Sequence, residues 1–249
     1  MTIIKSAEEV AIMREAGRIV AVILQKLSEA VKPGIKTRVF NDLAENEVGK
    51  WNSARASFKG YHNFPASVCV SVNDEVVHGI PGNKVLKEGD IVSLDFGVIY
   101  KGFQGDAAVT VGVGNVSPAA RKLMDTTRAA LVEGINAARD GGYLGDIGEA
   151  IQAYVESRGY SVVREYSGHG IGRDMHEDPL VPNFGRKNDG IRLRKGMTLA
   201  LEPMVNAGNW KTKLNNNGWT VFTADGSLSA HFEHTIAIGK DEAEILTLL

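Results

Sequence analysis

Over the first thirty residues, hydrophobic positions recur at helical spacing. Val10, Met13, Gly17, Val20, Leu24 and Leu27 share one face. They follow Ser6-Ala-Glu-Glu9, whose serine and third-position glutamate form a capping box. Pro33-Gly34 stops this helix. A second helix is predicted over 37–49, carrying Val39, Phe40, Leu43 and Val48. The pattern then changes: β-branched residues are frequent over 67–77, and Asp90-Ile-Val-Ser-Leu94 reads as a buried strand behind Gly89. Lys101-Gly102 is a turn, so 84–111 holds a hairpin. Ser117-Pro118 opens a helix to about Arg139, Gly141-Gly142 breaks it, and Asp146-Ile-Gly-Glu149 caps another that stops at Gly159. Strands return at 198–205, 219–223 and 229–238, with Asp225-Gly226 expected to turn the last two into a hairpin.

Helix, helix, strands therefore occurs twice, and the second pass echoes the first. Leu86-Lys-Glu-Gly-Asp-Ile-Val-Ser-Leu-Asp95 matches Leu193-Arg-Lys-Gly-Met-Thr-Leu-Ala-Leu-Glu202 at an offset of 107 residues. The same offset sets Gly34 on Gly141, His62 on His169, and the first helix on the one that begins at Ser117. The expectation is an α+β fold of two related halves, roughly 1–112 and 113–249, facing each other about a pseudo-two-fold. Asp95 and Glu202 would be equivalent strand-end carboxylates. No Pro/Gly/Ser-rich linker separates the halves, which predicts one domain over 1–249.

Composition removes several function classes. The 249 residues are 43% hydrophobic and 23% charged, ordinary for a globular chain. A net charge of -2 without a basic tail gives nucleic-acid binding little electrostatic support. One cysteine, Cys69, rules out an internal disulfide or a thiolate metal cage. The N-terminus runs straight into a charged amphipathic segment and no window approaches a membrane span, which predicts a cytoplasmic protein.

Chemistry concentrates on the hairpin. A two-residue loop at Lys101-Gly102 pairs Asp95 with Ala108 and Asp106 with Gly97, making the two aspartates diagonal neighbours on one face. Carboxylates that close repel unless one is protonated or a cation lies between them. With His169, Glu202 and Glu233 they make five candidate metal ligands, mostly hard oxygens that suit Mn, Fe or Co. Singly, each has an ordinary explanation as a turn, loop or exposed strand residue. Jointly, four carboxylates can neutralise two divalent ions about 3.5–4 Å apart.

His78-Gly-Ile-Pro81, Asp95 with Asp106, Gly168-His-Gly-Ile-Gly172, His176-Glu-Asp-Pro179, Leu201-Glu-Pro203 and Phe232-Glu-His234 run through most of the chain. In these motifs it resembles the methionine aminopeptidases of the bacterial type I form, within the pita-bread metallopeptidase family. The resemblance implies the pita-bread fold, antiparallel sheets covered by helices, and two divalent metal ions (Fe, Mn, Co or Zn, the identity open). By resemblance Asp95 chelates one metal, Asp106 and Glu233 bridge both, and His169 and Glu202 bind the same single one. A metal-bridged hydroxide then attacks the first peptide bond, with Glu202 as general base. His176 would hydrogen-bond the carbonyl oxygen and His78 the scissile amide nitrogen. Tyr61, Phe64, Cys69, Met175 and Trp219 would line the methionine pocket, with Phe58 at its rim. Phe58 stands where a cysteine is common and Met175 where a phenylalanine is common. Cys69 reads as a small buried hydrophobe rather than a nucleophile.

The implied activity is removal of the initiator methionine from nascent proteins when the second residue is small, by a monomer acting at the ribosome. An Xaa-Pro aminopeptidase or dipeptidase of the same fold is the sibling reading, although such proteins usually carry an extra N-terminal domain. A non-catalytic binding homologue is the reading from another class, and the intact ligand set argues against it.

Overall fold

The computed structural model of the chain describes residues 3–249. The first half runs α1 (Ala7–Glu29), α2 (Arg38–Val48), β1 (Ala54–Ala56), β2 (Cys69–Val72), β3 (Glu75–Val77), β4 (Ile91–Tyr100) and β5 (Phe103–Gly112). The second runs α3 (Pro118–Ala137), α4 (Leu144–Glu156), β6 (Ser161–Val162), β7 (Gly168–Gly170), β8 (Glu177–Val181), β9 (Thr198–Leu201) and β10 (Met204–Asn206). It continues with β11 (Thr212–Leu214), β12 (Val221–Thr223), β13 (Ser229–His231), β14 (Glu233–Ile238) and β15 (Ala243–Ile245). The fold is α+β, with helices lying on antiparallel sheets.

The offset of 107 reappears as geometry. Gly34 donates its N–H to Leu86 O at 2.8 Å, and Gly141 donates to Leu193 O at 2.9 Å. Leu86 returns its N–H to Ile35 O, as Leu193 does to Gly142 O. Isolated bridges Lys36–Val85 and Tyr143–Arg192 repeat at the same offset. Gly34 and Gly141 have φ of +86° and +83°, a region that side chains rarely enter. The two copies thus enter their second helix through the same turn.

A nine-stranded sheet carries strands of both halves in the order β1-β4-β5-β14-β9-β7-β8, with β2 joined to β4 and β15 to β14. Within this sheet the halves meet at the β5–β14 pairing. One hydrophobic core lies under α1 and α2 and another under α3 and α4. In α1 the predicted face is the buried one: Met13, Gly17, Val20, Leu24 and Leu27 all face inward. The helix approaches β5 through two glycines. A Cβ on Gly105 would stand 2.8 Å from Gly17 N and 2.9 Å from Ala16 C.

Three local expectations give way to tertiary structure. The fourth helix starts at Leu144, and Asp146 accepts the Tyr143 N–H at 2.8 Å, so Asp146 caps the helix from inside its first turn and is not the N-cap residue itself. The stretches 198–205 and 229–238 are not continuous strands. Each breaks at Glu202-Pro203 or Phe232, and its parts pair in different sheets, β9 and β14 in the large one, β10 and β13 with β6 in a small one. Proline has no N–H to continue a ladder. Finally, Asp225-Gly226 does form a turn, Gly226 having φ +75°. Its flanking strands do not pair, because β12 binds β3 and β11 while β13 binds β10.

Candidate metal centre

The β4–β5 hairpin closes on Lys101 and Gly102, both at positive φ, which suits a two-residue turn and sets the register. Asp95 faces Ala108 and Asp106 faces Gly97. On the outer side of Asp95 lies Cys69, and on the far side of Ala108 lies Glu233. Residues in one such row share a sheet face, and Asp106, two residues from Ala108, joins them. β9 delivers Glu202 one residue after Leu201, which pairs with His234. His169 pairs with Ala200, two residues before Glu202, and so points the same way.

Among the described residues, no lysine or arginine forms an ion pair with this cluster. Asp106 and Glu233 are 4% and 2% exposed. Asp95 Oδ1, Asp106 Oδ1 and Glu233 Oε1 are buried without a hydrogen-bond partner. The ion-pair partners found near the group, among the described residues, are imidazoles alone: His169 Nε2 is 3.6 Å from Glu202 Oε1, and His231 Nε2 is 3.7 Å from Glu202 Oε2. Burial foremost, then the neighbouring carboxylates, holds Asp106, Glu202 and Glu233 well above the usual carboxyl range. Burial raises Asp95 to about 7. Orphaned oxygens of this kind beside neutral imidazoles fit divalent cations. Asp106, His169 and Glu233 form one group of ligand atoms within 4.8 Å of one another, and Glu202, His231 and Glu233 form another. Asp95 belongs to neither group, although it lies on the same face.

The imidazoles are held in defined states. His169 Nδ1 stands 2.9 Å from Gly170 O, and since a carbonyl only accepts, Nδ1 carries the proton and Nε2 is free to ligate. Burial, then His176, lowers its pKa to about 3. His176 Nδ1 is 2.7 Å from the Tyr61 hydroxyl, and its ring lies 4.2 Å from that of His169. His78 has φ +58°, a strained conformation for a side-chain-bearing residue, and burial and then His176 lower its pKa to about 4. Burial first, then Asp95, pushes the Cys69 thiol up, away from the reactive thiolate form.

Beside the carboxylates is a cavity of about 400 Å³ walled by Phe58, Tyr61, Phe64, Cys69 and Trp219, with His78 and His176 also at its surface. Met175 does not reach the cavity. It is buried behind Phe58, where its Cε and the Phe58 ring both approach Gly97. Two residues escaped the candidate set. His62 lines the cavity, and its offset from His169 was the available signal. His231 reaches the carboxylates themselves, a placement that follows from the break of the strand at Phe232.

A sheet face crowded with uncompensated carboxylates, opening on an apolar cavity, is the arrangement of a metal-dependent hydrolase. The chain belongs to metallopeptidase family M24, whose model matches residues 11–240. It is 51% identical to methionine aminopeptidase 1 of Bacillus subtilis, with 99% of each chain covered. It is 52% identical to the methionine aminopeptidase of Clostridium acetobutylicum, covering 100% of this chain and 99% of that one. The crystal structure of methionine aminopeptidase from Rickettsia prowazekii superposes with a TM-score of 0.98 at 45% identity, both chains fully covered. An Xaa-Pro dipeptidase from Bacillus anthracis shares the fold at a TM-score of 0.77 and 24% identity, and the chain spans only 61% of it.

Proposed function

We propose that this chain is a methionine aminopeptidase, a metal-dependent enzyme that removes N-terminal methionine from new polypeptides, preferentially when the second residue is small. The observation that carries the reading is one site joining a buried carboxylate–imidazole cluster to an apolar cavity of about 400 Å³. In this reading Asp95, Asp106, His169, Glu202 and Glu233 hold two divalent ions. Ions bound there supply Lewis acidity and bring the pKa of water toward about 7.

The chain's own groups do the rest. Glu202 is 14% exposed on the cavity side, so it can take a proton from water and return it to the leaving amine. The Tyr61 hydroxyl lies 2.7 Å from His176 Nδ1, and in this reading it donates there, so that the His176 proton sits on Nε2 as the donor for the carbonyl oxygen. His78, kept neutral by burial, contacts the scissile amide nitrogen. Tyr61, Phe64, Cys69 and Trp219 enclose the methionine side chain, Phe58 forms the rim, and Met175 backs Phe58. The 51% and 52% identity to relatives named methionine aminopeptidase, over 99% and 100% of this chain, supports the substrate class. Residues 1–249 work as one catalytic domain, a reading supported by the sheet that strands of both halves share. We further propose that the enzyme is a cytoplasmic monomer acting on chains at the ribosome. No helix among the described residues is long and apolar enough to cross a membrane.

The test is methionine release from Met-Ala-Ser by chelator-stripped protein, with single divalent metals added back. Met-Gly-Met-Met and an Ala-Pro peptide run alongside. Activity should return only with metal and only on N-terminal methionine. Cleavage confined to the Ala-Pro peptide, or silence from folded protein with every metal, would overturn the assignment.

A further inference from the structure

We propose that His231 is a second imidazole of the metal centre, ligating the cation held between Glu202 and Glu233. This rests on the metal-centre reading above and extends it to a residue outside the five ligands already named. His231 ends β13, is 1% exposed, and has a buried Nε2 without a hydrogen-bond partner. That atom lies 3.7 Å from Glu202 Oε2 and 3.8 Å from Glu233 Oε2. Both separations exceed hydrogen-bonding distance. Two ligands bound to one cation at about 2.1–2.2 Å, at angles between tetrahedral and trigonal, stand roughly 3.4–3.8 Å apart. The spacing therefore fits atoms that share a cation. His169 shows the same relation on the other side, its Nε2 3.6 Å from Glu202 Oε1. One imidazole thus faces each oxygen of Glu202.

The backbone of His231 is seated as firmly as that of Asp106. The Thr110 hydroxyl accepts the His231 N–H at 2.9 Å and donates to His231 O at 2.7 Å, with the Ser93 hydroxyl 2.8 Å behind it. The Thr235 hydroxyl treats Asp106 identically, accepting its N–H at 3.0 Å and donating to its carbonyl at 2.8 Å. These two hydroxyl braces flank the Ala108–Glu233 pair symmetrically. A histidine retained only for packing would have its ring nitrogens satisfied.

The experiment uses the full chain, labelled with ¹⁵N-histidine, stripped of metal and titrated with Zn(II) while long-range ¹H–¹⁵N spectra are recorded. Two imidazoles, His169 and His231, should acquire a metal-bound Nε2 shift. His231→Gln should delete one of them, keep that of His169, and weaken Zn(II) binding by at least about tenfold. His231→Asn gives an independent assignment, and the unmutated spectrum carries the test should either variant misfold. A metal-bound shift at His169 alone overturns the proposal. So does a His231 Nε2 that keeps its proton at saturation, since His231 would then be only a hydrogen-bond donor to Glu202. If no imidazole shifts at all, the metal-centre reading fails together with the proposal, an outcome separable from the other two.

Discussion

Replacing Asp95 by asparagine tests whether the carboxylate cluster is built for cations at the expense of the metal-free fold. The substitution keeps shape and removes one charge from a group of four. Burial holds the folded Asp95 pKa at about 7 against an ordinary 3.8. Each pH unit of such a difference corresponds to about 1.4 kcal/mol, so ionised Asp95 costs the metal-free fold on the order of 4 kcal/mol. The sign follows from linkage: between the unfolded and folded pKa values the native state binds more protons, so stability falls as pH rises through about 4 to 7. Below that window the variant and the parent should melt together. Above it, Asp95→Asn should melt higher by roughly 10 °C, taking about 2–4 °C per kcal/mol for a chain of this size. Scanning calorimetry of chelator-stripped protein from pH 4 to 8 measures both limits. Adding metal should reverse the order, since two ions each at 100 times Kd stabilise the parent by about 5 kcal/mol, more than the roughly 4 kcal/mol that ionised Asp95 costs, while the variant lacks one ligand. A metal-free variant no more stable than the parent at pH 8 would show that another group offsets the charge, and the reasoning would be wrong.

Tyr61→Phe removes the hydroxyl that orients His176 and should lower kcat on Met-Ala-Ser with KM little changed, while His176→Ala should lower kcat by about 10²–10³, checked by steady-state kinetics of the metal-loaded enzyme. Gly105→Ala places a methyl against the α1 backbone at Gly17 and should cost about 1–3 kcal/mol in urea unfolding. Lys5 and Glu177 form an ion pair with side chains 2% and 5% exposed. Lys5→Met should therefore destabilise by about 3–5 kcal/mol, and adding Glu177→Leu should restore most of the loss in thermal melts.

Much of this molecule is written locally. The capping box at Ser6, the Lys101-Gly102 turn and the alternation along 90–111 each depend on residues within a few positions of one another. From them follow α1 with its buried face, the hairpin of two ten-residue strands, and Asp95 and Asp106 as diagonal neighbours on one face. The offset of 107 was legible too, because the same turn recurs with the same glycine at positive φ.

What the chain's neighbours in sequence could not decide is where each strand finds its partner. Glu233 meets Ala108 across the join of the two halves, a pairing that no local period specifies. The breaks at Glu202-Pro203 and Phe232 appear only when one stretch must serve two sheets. Those breaks set Glu202 and Glu233 at the junction and swing His231 in beside them. Met175 retreats behind Phe58 for a similar reason, since its place depends on packing around Gly97 and not on its neighbours in the motif. Turns and caps are short-range free energies carried by the sequence itself. The site is a long-range one, and only the pairing of the two halves brings its carboxylates and imidazoles together.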